Sequence, residues 1–352
     1  MVHHPAFTLP HATGASPIHL GRGTLAHLPS LLEQYLPGRR AVVISDAQVA
    51  AHVPLPLAGP CLTFAPGEAS KTRETWAALT DQLLALGLDR DGTVVALGGG
   101  VTGDLAGFVA ATYLRGIPVV QVPTSLLAML DAAIGGKTGV DVPAGKNLVG
   151  AFHHPAFVLV DPEVLATLPP REYRGGLAEA VKHALVADAD HFAWLEANVA
   201  AILATDPAAL THLVHTSIGV KVGVVTADER DAGRRAILNA GHTVAHALEH
   251  ASAYALHHGE AVAIGLVVET RLGEQRGVTS PGTSTRVAAL LLALGLPTTI
   301  PPHLAAADLL AAMQHDKKNR GGTIHMSVPR AVGQSVAPWT MAVTPDEVRA
   351  AL

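Results

Sequence analysis

The sequence predicts an N-terminal α/β domain built on a parallel sheet, followed by an all-α domain. Three observations carry that reading. The first half alternates short β-branched runs with helical stretches, the pattern of a parallel sheet covered by helices. In the second half apolar residues recur at helical spacing almost throughout. The pair Pro169-Pro170 separates the halves and would interrupt a regular element. The expected domains are therefore 1–168 and 169–352, with a site in the cleft between them.

Four runs read as buried parallel strands: 41–45 (AVVIS), 93–97 (TVVAL), 118–122 (PVVQV) and 157–160 (FVLV). Helices fit between them at 72–86 and 101–113. Beyond Asp161-Pro162 the spacing predicts helices over 172–186, 191–203, 207–225, 242–250, 260–276, 284–294 and 305–315.

Bulk properties remove several function classes. The chain has 352 residues, 49% hydrophobic and 15% charged, which suits two globular domains. Net charge is −5 and no long basic run exists, so nucleic acid is not an expected partner. The apolar stretch 287–296 is too short for a bilayer, so no membrane partner is expected. The start, MVHHPAFTLP, lacks the pattern of a secretory signal, so a cytoplasmic location is expected. A single cysteine, Cys61, excludes an internal disulfide and a cysteine-based zinc site. Any metal must use His, Asp or Glu. His3, His4, His11, His19 and His27 are expected at the surface.

Lysine is scarce. There are seven against seventeen arginines: Lys71, Lys137, Lys146, Lys182, Lys221, Lys317 and Lys318. Nearly all lie beside glycine, asparagine, histidine or an acid. An ammonium is a compact point charge that Arg's planar fork does not replace at a phosphate or proton-transfer site. The set therefore points to an anionic, oxygen-rich substrate.

Three segments carry candidate chemistry. Gly98-Gly99-Gly100-Val101-Thr102-Gly103 follows a strand and opens a helix, where backbone N–H groups can receive a pyrophosphate. The acid expected about 20 residues on is missing, while Asp46 ends an earlier strand. A dinucleotide site here would be an atypical Rossmann-like one. The segment 131–147, DAAIGGKTGVDVPAGKN, holds four glycines and two lysines. It reads as a loop able to cradle an oxyanion. Finally, His242 and His246 are four apart on an expected helix and share a face. Glu179 and His258 lie elsewhere in the chain. Spacing alone pairs His242 with His246 as ligands of a catalytic metal.

Together these motifs resemble the 3-dehydroquinate synthase family of sugar phosphate cyclases. The resemblance runs from about Gly67 to Gly333 and is carried by GGGVTGDLAGF, YLRG, QVPTSLLAMLDAAIGGKTGVDVPAGKNLVGAF, LPPRE, GLAEAVKHAL, ADERDAGRRAILNAGHTVAHALEH, HGEAVAIG and DKKN. It implies zinc or cobalt on Glu179, His242 and His258, which moves His246 to the substrate. It implies NAD at Gly98, Gly99, Gly100 and Asp104, with Asp46, Glu68, Lys71, Thr124 and Ser125 around it. It implies substrate contacts at Arg115, Asp131, Lys137, Lys146, Asn147, Lys182, Lys221, Arg235, Asn239, His246 and one of Lys317 or Lys318. Of these, Asp131, Lys137, Lys182, Asn239 and His246 are implied to be catalytic. The implied reaction converts 3-deoxy-D-arabino-heptulosonate 7-phosphate to 3-dehydroquinate and phosphate in a homodimer. Four positions depart from the family's habit: Ala245 for glycine, Asp231 for glutamate, Ser125 for threonine and Gln48 for asparagine. Another sugar phosphate cyclase, an iron-type alcohol dehydrogenase and a non-catalytic binding protein are the competing readings.

Overall fold

The computed structural model describes residues 4–314 and 323–352. The chain divides into two compact units, Met1–Pro169 and Pro170–Leu352.

The first unit contains β1 (Phe7–His11), β2 (Gly14–Leu20), β3 (Arg40–Asp46), β4 (Cys61–Phe64), β5 (Gly92–Gly98), β6 (Val119–Pro123), β7 (Lys137–Val142), β8 (Gly145–Phe152) and β9 (Phe157–Val160). Seven of them form one sheet in the order β1-β2-β9-β6-β5-β3-β4. It is parallel except where β1 pairs antiparallel with β2. Alternate residues face opposite sides of a strand, and two cores result. Val42, Ile44, Val94 and Ala96 pack on Leu105, Phe108 and Val109. Val43, Val95, Leu97 and Val122 pack on Leu28 and Leu31 on the other face. Covered on both faces, β5 is buried along its whole length, as its unbroken apolar run requires.

The four expected strands all form. The additional strands β1, β2 and β4 are short or half-exposed and carry Pro, His or Cys in place of a β-branched run. The expected loop 131–147 is mostly regular: β7 and β8 pair as an antiparallel hairpin. Its glycines fit because Gly139 and Gly150 face one another across the pair, where a Cβ on Gly139 would meet Val149 O at 2.7 Å. Among the N-terminal histidines, His19 is buried rather than superficial. It sits on β2 against Phe157 and Tyr35, 3.2 Å from the Tyr35 hydroxyl.

The second unit is helical, with a small antiparallel ribbon of Ile324–Met326 and Met341–Val343 in addition. The expected helix 191–203 is two, Ala189–Ala197 and Val199–Leu203. The break falls at Asn198, whose side chain donates back to Trp194 O at 2.8 Å, the competition with main-chain bonding that makes Asn a poor helix interior residue. Pro207–Ala227 is long and apolar enough to cross a membrane by length and composition, so 287–296 is not the most membrane-like segment. Yet half of its apolar window is buried inside the protein, and it carries Lys221 on a buried face. It is built as a core helix of this unit. The helix His258–Gln275 packs on Pro170–Ala187, His242–Ala251 and Thr283–Ala293. Its glycines permit that closeness: a Cβ on Gly259 would overlap Gly175, and one on Gly265 would overlap the carbonyl of Gly241.

Candidate active site and metal centre

In the second unit three helices converge on one buried carboxylate. Glu179 and Lys182 lie on Pro170–Ala187, each 1% exposed. An ion pair joins Lys182 Nζ to Glu179 Oε2. The other oxygen, Oε1, faces His242 Nε2 at 3.6 Å and His258 Nε2 at 3.9 Å. Oε1 accepts no hydrogen bond among the described residues. A buried carboxylate oxygen without a donor is costly, unless a cation fills the position. The three ligand atoms lie within 4.8 Å of one another. Two imidazole nitrogens and a carboxylate oxygen are a donor set that a divalent ion such as zinc accepts. The residues fit a divalent metal.

The Nδ1 atoms of both imidazoles are engaged behind the site. His242 Nδ1 donates to Ala240 O at 3.1 Å, and His258 Nδ1 to Glu249 Oε2 at 3.2 Å. Those bonds place the ring proton on Nδ1, so the Nε2 lone pair of each ring is directed to the Glu179 side, the usual arrangement around a metal-binding histidine. Buried Glu269 accepts from Gly241 N at 2.8 Å and Val244 N at 3.1 Å, which anchors the start of the helix His242–Ala251. His246 is not part of the trio. Its ring centroid lies 5.8 Å from that of His242 with planes at 86°. The i,i+4 spacing makes the two rings neighbours, but three-helix packing supplies the converging donors, which overturns the pairing that spacing alone suggests.

Lys221 and Arg235 are buried polar groups of the same unit. Arg235 donates to Glu229 O at 2.6 Å and sits in a turn tied by Asp228, which accepts from the N–H groups of Ala232, Gly233 and Arg235. Burial acts to raise the Asp228 carboxyl, but those three donors outweigh it and hold it below its ordinary value. Asn239 ends a short helical turn two residues before Gly241. Lys317 and Lys318 lie outside the described residues.

In the first unit a different kind of site sits at the carboxyl ends of the strands. Asp46, Gly98 and Pro123 end β3, β5 and β6. β4 lies on one side of β3 and β5 on the other, so the crossover direction reverses there, where open α/β sheets take ligands. The backbone turns at Gly99 into the helix Gly100–Thr112. A Cβ on Gly98 would overlap Thr102, and one on Gly99 would stand 3.3 Å from Ser125 Oγ. Thr124 N donates to Gly98 O at 2.9 Å. The bare helix N-terminus suits a pyrophosphate, and these residues fit a dinucleotide. Asp46 also caps the helix Ala47–His52, accepting from Gln48 N and Val49 N.

Beside the turn, Lys71 Nζ lies 2.6 Å from Asp104 Oδ2. Burial disfavours the Lys71 ammonium, but Asp104, Glu68 and Asp141 more than offset it and hold Lys71 above its ordinary value. Burial pushes the Asp104 carboxyl up against the pull of Lys71; the short contact is that of an ammonium on a carboxylate. Lys146 Nζ is 3.5 Å from Glu68 Oε1. Asp131 lies in the turn Ala128–Ala132, and Lys137 is exposed at the start of β7. Arg115 follows Leu114 in a left-handed stretch, φ 70° and 50°, closed by Gly116. Such strain in non-glycine residues concentrates at functional positions.

The 3-dehydroquinate synthase N-terminal profile matches residues 61–175, and the 3-dehydroquinate synthase C-terminal profile matches 176–319. A protein of Symbiobacterium thermophilum named 3-dehydroquinate synthase is 47% identical over 344 residues, covering 95% of this chain and 96% of its own length. The chain belongs to the 3-dehydroquinate synthase family. A second relative of that name, from Halorhodospira halophila, is 47% identical over 91% of each chain. Among solved structures of the family's fold, 2-deoxy-scyllo-inosose synthase with carbaglucose-6-phosphate, NAD+ and Co2+ superposes with a TM-score of 0.88 at 27% identity, covering 98% of each chain. The 2-epi-5-epi-valiolone synthase of Streptomyces hygroscopicus subsp. jinggangensis, with NAD+ and Zn2+, gives 0.84 at 32%, over 96% of this chain and 95% of that one. A probable glycerol dehydrogenase from Sinorhizobium meliloti shares the fold, at 0.66 and 19%.

Asp228, Glu249 and Glu269 were not singled out from the sequence, although the first two lie within the segment ADERDAGRRAILNAGHTVAHALEH. Glu249 had a signal, standing three residues after His246 and seven after His242 on one helix face. Glu269 had none, because its partners are backbone groups 25 and 28 residues away.

Proposed function

We propose that the protein is a 3-dehydroquinate synthase, converting 3-deoxy-D-arabino-heptulosonate 7-phosphate to 3-dehydroquinate and phosphate with NAD and a divalent metal. The observation that carries the reading is Glu179 Oε1, buried and facing Nε2 of His242 and His258. When bound, the metal polarises the hydroxyl oxygens it touches, and NAD takes up and returns a hydride.

The chain's own residues do the rest. Glu179, His242 and His258 hold the metal. Lys182, held on Glu179, donates to a substrate hydroxyl and moves its proton, with Asp131 in a like role. Lys221, Arg235 and Asn239 take the carboxylate, to which a Lys317 or Lys318 ammonium is also assigned. Lys137, Lys146, Asn147 and Arg115 take the phosphate, Arg115 being open to supply by a second subunit, and His246 is assigned to the same group. Asp46, Glu68, Lys71, Gly98, Gly99, Gly100, Asp104, Thr124 and Ser125 receive the dinucleotide. Zinc and cobalt both suit two imidazoles and a carboxylate. The reading places the enzyme in the cytoplasm as a homodimer serving aromatic amino acid biosynthesis by the shikimate route.

The test is release of inorganic phosphate from the heptulosonate phosphate with a trace of NAD. Release far above the NAD supplied, lost on chelation and restored by zinc or cobalt, is expected. NADH accumulating in step with substrate loss would overturn the reading in favour of a plain dehydrogenase. Release only from another sugar phosphate would move it to a different cyclase.

A further inference from the structure

The β7–β8 hairpin carries an acid that no role above uses. Asp141 lies where the ladder shifts register, between the pairs Val140–Val149 and Val142–Gly145. The shift sets this one residue of β7 against three of β8, so Asp141 has no counterpart in the ladder. The freed N–H of Asp141 donates to Lys71 O at 2.7 Å. Its carboxylate turns back over the hairpin and accepts from Asn147 N at 2.9 Å. Asn147 is left-handed, φ 54°, a conformation Asn tolerates when local hydrogen bonds support it. Burial pushes the Asp141 carboxyl above its ordinary value and the nearby Glu68 carboxyl adds to the rise, while Glu68 lies 3.5 Å from Lys146 Nζ. Lys71 in turn lies on Asp104.

We propose that Asp141 is a positioning residue: its carboxylate sets the Lys146-Asn147 turn, while its backbone N–H ties that turn to the Lys71 segment. The two contacts separate by chemistry. A side-chain substitution removes the hold on Asn147 but leaves the backbone bond to Lys71 O in place. Asp141 therefore acts on the anion that Lys146 and Asn147 receive, and not on the glycine turn. This inference rests on the assignment of those two residues to the substrate phosphate.

The test uses full-length protein loaded with zinc and NAD, comparing the parent with Asp141→Ala, Asp141→Asn and Asn147→Gly. Asp141→Ala is expected to raise KM for the heptulosonate phosphate about tenfold, as loss of one hydrogen bond to a charged group implies, with kcat within about threefold. Asp141→Asn keeps an oxygen acceptor for Asn147 N–H and is expected to restore most of the loss. NAD affinity, read by fluorescence titration, stays within about twofold in each variant, since a uniform loss would mean a collapsed domain. With Asn147→Gly already present, adding Asp141→Ala should raise KM less than it does in the parent, because one of the two side chains it positions is already gone. Equal impairment of the Asn and Ala variants, an unchanged KM in Asp141→Ala, or a parallel fall in NAD affinity overturns the proposal. A parent that releases no phosphate would instead sink the functional reading, so the two failures are distinguishable.

Discussion

The two units build their sites from opposite materials. In the first, the turn after β5 presents mainly backbone: three consecutive glycines, a helix N-terminus and strand ends, with Thr102 and Ser125 packed against it. In the second, the trio is made of side chains projected from three separate helices, braced by buried carboxylates behind the imidazoles. A backbone site tolerates variation in side chains but not an added Cβ. A side-chain site depends on helix placement and on each ligand atom. Damage to one should therefore leave the other's ligand in place.

The largest effect should come from Glu179→Gln. Loss of the anionic ligand is expected to lower phosphate release at least ~10³-fold and to empty the metal site by elemental analysis, with NAD titration unchanged. Loss of NAD binding as well would break the distinction between the two sites.

Next is acid sensitivity of the second unit. Burial drives His191, which lies 3.2 Å from Ser217 Oγ, from 6.5 down to about 4. Between those values the unfolded chain takes up a proton that the folded one refuses. Its contribution is thus full above pH 6.5 and is lost as pH falls towards 4, by roughly 3 kcal/mol in all. His191→Gln should flatten the fall in melting temperature over that window, and an unchanged slope would show that another group governs it.

Smallest is Gly98→Ala. The added methyl would overlap Thr102, and overpacking of this kind costs about 1–3 kcal/mol. A lowered urea midpoint with full metal content is expected. Metal loss at the same substitution would mean the sites are not independent.

Local signals made the centre of the first unit legible. The unbroken apolar runs of β5 and β9 and the glycines after β5 each state their structure within a few residues, because burial on both faces and a tight backbone turn leave few residue types to choose from. The Asp131–Asn147 segment was half legible. Its composition spoke for an anion cradle, but glycine and lysine hid a hairpin whose strands come close where Gly139 faces Gly150. The convergence of Glu179, His242 and His258 could not be read from spacing. Spacing on one helix favoured His246, and resemblance to a family favoured His258. Only packing brings Glu179, His242 and His258 together, across 63 and 16 residues of sequence, as helices close on one another at Gly175, Gly241, Gly259 and Gly265. Most backbone turns and helices could be read along the chain, since they rest on near neighbours; the break at Asn198 could not. The tertiary structure decided which lone pairs face one another, because that depends on how helices cross.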